Sequence, residues 1–287
     1  MLNKFVYSIF NCLPIKIKFI LRYFKVFREF PNLKKPENFN EKVLHRVIFE
    51  NNPIYSKLAD KYEVRKYIES TVGKEYLVPL LYFCESAECL NDLYNWNNIV
   101  IKSNHGAGMV KVIEDSPSEK EKELIIKECN EWLNFDYGKY TGERHYSAIS
   151  RKIIVEKRIE ALEGAIKDYK FHRFLQEDGS FKQILQVISG RGSNDFVNVF
   201  YDLENLNQII HSSCGANFNL SKYEKIKIKE ISSLNIKICP DIGYVRLDWY
   251  ITPERIYFGE VTLTPACGLS RSMVGEFGEY MGQLWVK

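Results

Sequence analysis

The stretch GYVRLDWYITPERIYFGEVTLTPACG, residues 243–268, constrains this chain more than any other. From Tyr244 to Ile251 the residues alternate. Val245, Leu247, Trp249 and Ile251 fall on one face of a period-2 strand, and Arg246, Asp248 and Tyr250 fall on the other. Pro253-Glu254-Arg255 supplies a turn, and Ile256 to Thr264 is again rich in β-branched and aromatic residues. The pattern predicts an antiparallel hairpin, and a three-residue loop pairs position 252 with 256. Asp248 then lies across from Glu260, and Arg246 across from Thr262. Directly opposed side chains have Cβ atoms about 5 Å apart, where like charges destabilise. A cation between the acids removes that penalty, and Mg²⁺ prefers one or two carboxylates plus phosphate oxygens. A solvated sheet face, or Arg246 neutralising one acid, fits the same pattern.

The rest of the chain narrows the setting. With 287 residues and 45% hydrophobic composition it can bury a substantial core, in one large domain or two modest ones. A net charge of +3 implies no general polyanion-binding surface, so no nucleic-acid partner is expected. The charge is uneven, because residues 1–30 carry six basic side chains against Glu29 alone. Seven scattered cysteines without a CxxC suggest a reducing, cytoplasmic setting, and five scattered histidines argue against zinc. No apolar stretch is long enough to span a bilayer. The basic, aromatic start, residues 1–28, suits either an anionic membrane surface or a helix packed on the domain with its lysine heads in water.

Along the chain, a short helix is expected after Asn40, and 52–73 reads as one helix ended by Gly73, with Val64 and Ile68 on one stripe. IVIKSNHGAGMVKV is strand, glycine loop, strand; it places Lys102 before Gly106 and Gly108, a pattern that suits an anion as well as a plain hairpin. Residues 118–135 are helical in period, IIVEKRI is a strand carrying Glu156, and KDYKFHRF opens a hairpin that turns at Asp178-Gly179. Asp168 and Lys170 share a strand face there and can pair with each other. Hairpins without regular βαβ alternation make the chain α+β (mixed α/β).

The order of these pieces resembles the ATP-grasp superfamily of carboxylate–amine ligases. DKYEVR, VGKEYLVP, VIKSNHGAGMVKV, IIVEKRI and VRLDWY…IYFGEVTLTPACG follow its motifs over roughly residues 36–287. The wording ENFNEK, KSNHGAG, DYKF and YFGEVTLTP is most similar to its TupA-like, teichuronopeptide-biosynthesis branch. The resemblance implies an ATP-grasp fold of two α+β subdomains clamping a nucleotide. Residues 1–57 would be a helical N-terminal segment and 58–287 the ATP-grasp domain, with a lid at about 98–158 and a metal-binding subdomain at about 159–287. It places Arg65 and Lys102 on phosphates, Gly106 and Gly108 in a closing loop, Glu156 at adenine and Asp168 at ribose. Asp248, Glu260 and Thr262 would hold Mg²⁺, as two ions. Arg246 and Lys170 would neutralise the transferring phosphoryl group. Two departures are Arg65 where relatives carry lysine, and Thr262 where they carry asparagine. The segment before Asp60 is also too short for the substrate domain of larger ligases.

The implied reaction joins an amino acid to a uronic acid of a bacterial surface polysaccharide or its precursor, at the inner face of the membrane. A sugar or glycan kinase on the same fold, a glycosyltransferase of the same pathway, and a nucleotide-binding scaffold without activity are the competing readings.

Overall fold

A computed structural model describes residues 13–190, 196–209, 218–239 and 241–286. The predicted hairpin forms from β9 (Tyr244–Ile251) and β10 (Ile256–Thr262), but its register corrects the expectation. Ile251, not Thr252, pairs with Ile256, so the loop has four residues, closed by Thr252 and Arg255 bonding each other. A β-bulge at Gly259 then inserts one residue, after which Glu260 does lie across from Asp248 and Thr262 across from Arg246. The two offsets cancel. A Cβ at Gly259 would sit 3.0 Å from the Tyr250 ring and 3.1 Å from the Asp248 carbonyl, so a side chain fits poorly there.

The hairpin edges a six-stranded antiparallel sheet ordered β10-β9-β5-β6-β7-β8. Its other strands are β5 (Asp168–Leu175), β6 (Phe181–Ser189), β7 (Val197–Asp202) and β8 (Gln208–Ile209). One face is mostly apolar, with the fully buried Arg173 as its charged member, donating to the Asn235 carbonyl; Tyr169, Phe171, Leu185, Val187, Val245, Leu247 and Trp249 are buried there with Val64, Ile68, Ile228 and Ile231. The last two lie on α8 (Lys222–Asn235) and the first two on α4 (Val64–Thr71). The opposite face changes character along its length. At one end Phe174, Ile184, Phe200 and Tyr244 pack against α2 (Phe39–Phe49) and α9 (Gly275–Leu284). Toward the other end the same face carries the row Lys170, Asp248, Glu260 across three strands. His172 lies between the two, fully buried and bonded to Tyr244 and Gln186.

A second, four-stranded sheet is ordered β1-β4-β2-β3: β1 (Leu80–Cys84), β2 (Ile99–Ser103), β3 (Val110–Ile113) and β4 (Ile153–Lys157). It therefore begins at Leu80 rather than at about 98. Ile99, Ile101, Ile153 and Val155 pack on α5 (Glu119–Asn134), leaving Lys102 and Glu156 on the other side.

Two helices differ from expectation. The segment 52–73 is not one helix but α3 (Ile54–Ala59) and α4. Asp60 ends the first in extended backbone and accepts from the amides of Tyr62 and Glu63, so it starts the second. The helix expected after Asn40 starts earlier, where Asn38 and Glu41 form a capping box. At the start of the chain α1 (Ile15–Phe27) is packed on the domain through Phe19 and Tyr23, which join Leu44, Val47 and Ile48. Residues 1–12 of the basic segment lie outside the described residues.

Candidate active site

Asp248 sits mid-strand in β9, and its carboxylate is almost fully enclosed. Arg246 grips it with both prongs, Nε to Oδ1 and Nη2 to Oδ2, each at 2.7 Å. Lys170, directly opposite on β5, donates to Oδ2. Glu260 on the other flank is held more loosely: Arg246 Nη2 at 3.4 Å and Lys61 Nζ at 3.2 Å. The Thr262 hydroxyl accepts from Arg246 Nη2 at 2.9 Å. Three cations thus neutralise two acids, and the opposed carboxylates do not repel. Burial alone would raise the Asp248 carboxyl, but Arg246 and Lys170 outweigh it and hold it well below the usual range. Burial also acts upward on Glu260, and Lys61 is the largest influence bringing it down. The Arg246 guanidinium, although buried, is locked in its charged form by Asp248. Asp168 lies at the margin, 3.8 Å from Lys170, so of the two acids Lys170 can reach, Asp248 is the closer.

A second group of charges belongs to the small sheet. Glu156 on β4 takes Lys102 from β2 at 2.6 Å and Arg65 from α4 at 2.8 Å. Arg65 also donates to the Val78 carbonyl. One carboxylate therefore ties α4, packed on the large sheet, to the small one. Tyr250 stands between the two groups: burial, and then the acids Asp168, Glu260, Asp248 and Glu156, push its hydroxyl well above its ordinary range. The eleven residues singled out from the sequence thus gather in two adjoining clusters and the loop between them.

That loop holds Gly106 and Gly108, both at positive φ, 73° and 80°. The Gly106 carbonyl accepts from Lys61 Nζ at 2.7 Å, and a Cβ there would run into the Tyr137 ring, whereas the space around Gly108 is open. Buried Asn104 fixes the loop's root by bonding Asp60, the Ser150 carbonyl and the Lys152 amide. His105 takes no part, since its two nitrogens are engaged by the Ser103 hydroxyl and the Phe135 carbonyl.

Two residues escaped the sequence reading. Lys61 bridges the glycine loop to Glu260, and it does so because the helix breaks at Asp60. An Asp-Lys step just before a new apolar stripe at Val64 was the available signal. Tyr250 was placed on the Asp248 face by its parity, with no role attached.

Among the described residues no group of three or more His, Cys, Asp or Glu gathers. The donors at the hairpin are two carboxylates and a hydroxyl, all hard oxygens. Asp248 has about four acceptor positions, of which Arg246 and Lys170 use three. Such a set fits Mg²⁺ that brings most of its ligands as phosphate oxygens and water, and it does not suit zinc.

No protein of curated function matches the sequence. Among solved structures, an L-amino acid ligase from Bacillus licheniformis matches with TM-score 0.54 and 13% identity, covering 93% of this chain and 60% of that one. D-alanyl-alanine synthetase A from Vibrio cholerae matches with TM-score 0.45 and 13% identity, over 80% and 61%. D-Alanine-D-Alanine Ligase from Helicobacter pylori gives 0.43 and 15%, over 80% and 61%. The chain spans about three-fifths of the length of these proteins, and at such identities the likeness to the first shows the fold alone. The sequence profile of the family described as TupA-like ATPgrasp matches residues 40–286. Nearly the whole described structure is thereby accounted for, and the chain belongs to the TupA-like ATP-grasp family.

Proposed function

We propose that the protein is an ATP-dependent carboxylate–amine ligase. The observation that carries this reading is the convergence of Arg246, Lys170 and Lys61 on Asp248 and Glu260, beside Lys102 and Arg65 on Glu156. Five cations in these two adjoining clusters form a place for a triphosphate, and no nucleophilic side chain is needed. The γ-phosphoryl group passes from ATP to a substrate carboxylate oxygen and ADP leaves. An amine then attacks the acyl carbon, the bond to the phosphate oxygen breaks, and the nitrogen loses a proton. Lys102, Arg65 and the amides of the Gly106–Gly108 loop hold α- and β-phosphate oxygens, with Glu156 and Asp168 toward the nucleoside. Asp248, Glu260 and Thr262 would hold Mg²⁺, which would supply Lewis-acid neutralisation of phosphate charge. Arg246 and Lys170 neutralise the charge gathering on the transferred group, so catalysis is positioning and electrostatics.

Family membership supports a uronic acid of a bacterial surface polysaccharide as the carboxylate and an amino acid as the amine; this is analogy within a family. The test is phosphate release across amino acids with uronic-acid donors, followed by mass analysis of the product. An amide plus free phosphate is expected, with ADP formation abolished by Asp248→Asn. A stable phosphoester product, or full ADP formation by that variant, refutes the assignment.

We also propose that α1 rests on an anionic membrane surface. Phe19 and Tyr23 turn inward, while Ile17, Leu21 and Phe24 are exposed on a stripe flanked by Lys25 and Arg28. No described helix is long and apolar enough to cross a bilayer. Ile17→Ser with Leu21→Ser and Phe24→Ser should release the protein from phosphatidylglycerol vesicles without altering its melting temperature; retention on the vesicles contradicts the idea.

A further inference from the structure

A cavity of about 410 Å³ opens at the end of the hairpin, in the size range of small-molecule sites. Arg46, Tyr55, Glu143, Arg144, His145 and Thr264 line it. Thr264 lies two residues past Thr262, whose hydroxyl holds Arg246. The cavity therefore adjoins the charged row where phosphoryl transfer is placed, on the side contributed by the short N-terminal helices.

Its polar groups are unevenly satisfied. Arg46 is 4% exposed and stacks on the Trp285 ring at 4.3 Å. Its Nη1 donates to the carbonyls of Tyr244 (2.8 Å), at the start of β9, and Leu263 (3.1 Å), just past the end of β10, and its Nε pairs with Glu50 at 3.1 Å. Its Nη2 has no hydrogen-bond partner among the described residues. A nearly buried guanidinium that leaves one nitrogen unused at a cavity wall is a ready anion donor. Arg144 and Lys57 add positive charge. Of the two acids, Glu50 is committed to Arg46 and Tyr55, and Glu143 accepts from the Thr264 hydroxyl. His145 Nε2 is also buried without a partner.

We propose that this cavity binds a carboxylate-bearing co-substrate of the ligation, its carboxylate on Arg46 Nη2 and Arg144; the assignment as co-substrate rests on the ligase reading. The chemistry is shared by an amino acid and a uronic acid, and the test separates them. Glutamate and glucuronate are titrated into the full-length protein by isothermal calorimetry, with and without a non-hydrolysable ATP analogue and Mg²⁺. Saturable binding of one of them is expected, and the one that binds identifies the source. Arg144→Gln, at an exposed side chain, and Ala148→Trp, which fills the cavity from an exposed position, should each weaken that binding about tenfold or more. Neither touches the phosphate cluster, so the thermal shift caused by ATP·Mg should persist in both. Failure of both probes to bind, or equal binding by Ala148→Trp, overturns the cavity assignment. Binding that both variants lose, alongside no phosphate release from any substrate pair, upholds the cavity and refutes the ligase reading instead.

Discussion

Converting Asp248 to asparagine removes the carboxylate that Arg246 and Lys170 share and leaves two enclosed cations behind. Breaking a buried pair in this way costs roughly 3–5 kcal/mol. The low end, about 3 kcal/mol, applies here, because Arg246 keeps Glu260 at 3.4 Å and Lys170 keeps Asp168 at 3.8 Å. Lys170→Met alone leaves Asp248 with its two Arg246 contacts and should cost less, about 1–2 kcal/mol. The double variant should be no worse than Asp248→Asn alone, a coupling of at least ~1 kcal/mol, since the second change removes the cation that the first orphaned. Urea denaturation followed by tryptophan fluorescence reads all four corners of the cycle, and buried Trp249, next to Asp248 on the opposite face of β9, is a suitable reporter. Saturating ATP·Mg should stabilise the wild-type protein by ~2.7 kcal/mol at a hundredfold excess over Kd and leave the double variant unmoved. Additive single effects would show that Lys170 and Asp248 do not form a pair in solution, and the account of the site would fail with it.

Lys102→Met should raise KM for ATP about tenfold while costing under ~1 kcal/mol of stability, because Glu156 keeps Arg65; an unchanged KM removes Lys102 from the nucleotide. Gly106→Ala should destabilise by about 2 kcal/mol and depress ADP formation, as φ is positive and the Tyr137 ring blocks a Cβ. Gly108→Ala, with similar φ but open space, should cost about 1 kcal/mol, and equal melting temperatures would contradict the distinction. Burial pushes the imidazoles of His172 and His145 down to about 3 and about 4. Below pH ~6.5 the unfolded chain therefore takes up protons that the folded one refuses. Their stabilisation is complete above that pH and falls by ~1.4 kcal/mol per unit for each histidine as the pH drops toward 4, so a flat urea midpoint between pH 6.5 and 5 speaks against it.

Much of this architecture was legible in the sequence, for identifiable reasons. Alternation in 245–251 assigns these side chains of β9 to their correct faces, because one face must be buried. The Asp178-Gly179 turn and the helix beginning at Ser118 carried their own local chemistry. The loop length was misjudged, although a cue was present: Ile256 and Phe258 are buried, and so are Val261 and Leu263, a slip in phase that only an extra residue accommodates. The break at Asp60 is hard to see in the sequence because no glycine or proline marks it between Pro53 and Gly73. Long-range facts left no local trace at all. Nothing in LLYFC announces that Leu80 pairs with Glu156, or that Arg65 reaches across to the same acid.

The extra residue in β10 has a further consequence. Excising Gly259 would make Phe258 and Glu260 neighbours opposite Trp249 and Asp248, which are themselves neighbours. Inside and outside would then stay as they are, and the ribbon would run straight. The insertion is thus neutral for burial and acts only on aim: by tightening the local coil of the edge strand it sets the angle at which Glu260 leans toward its companions. An ornament of this kind is invisible to the hydrophobic core and felt entirely by whatever occupies the charged end of the sheet.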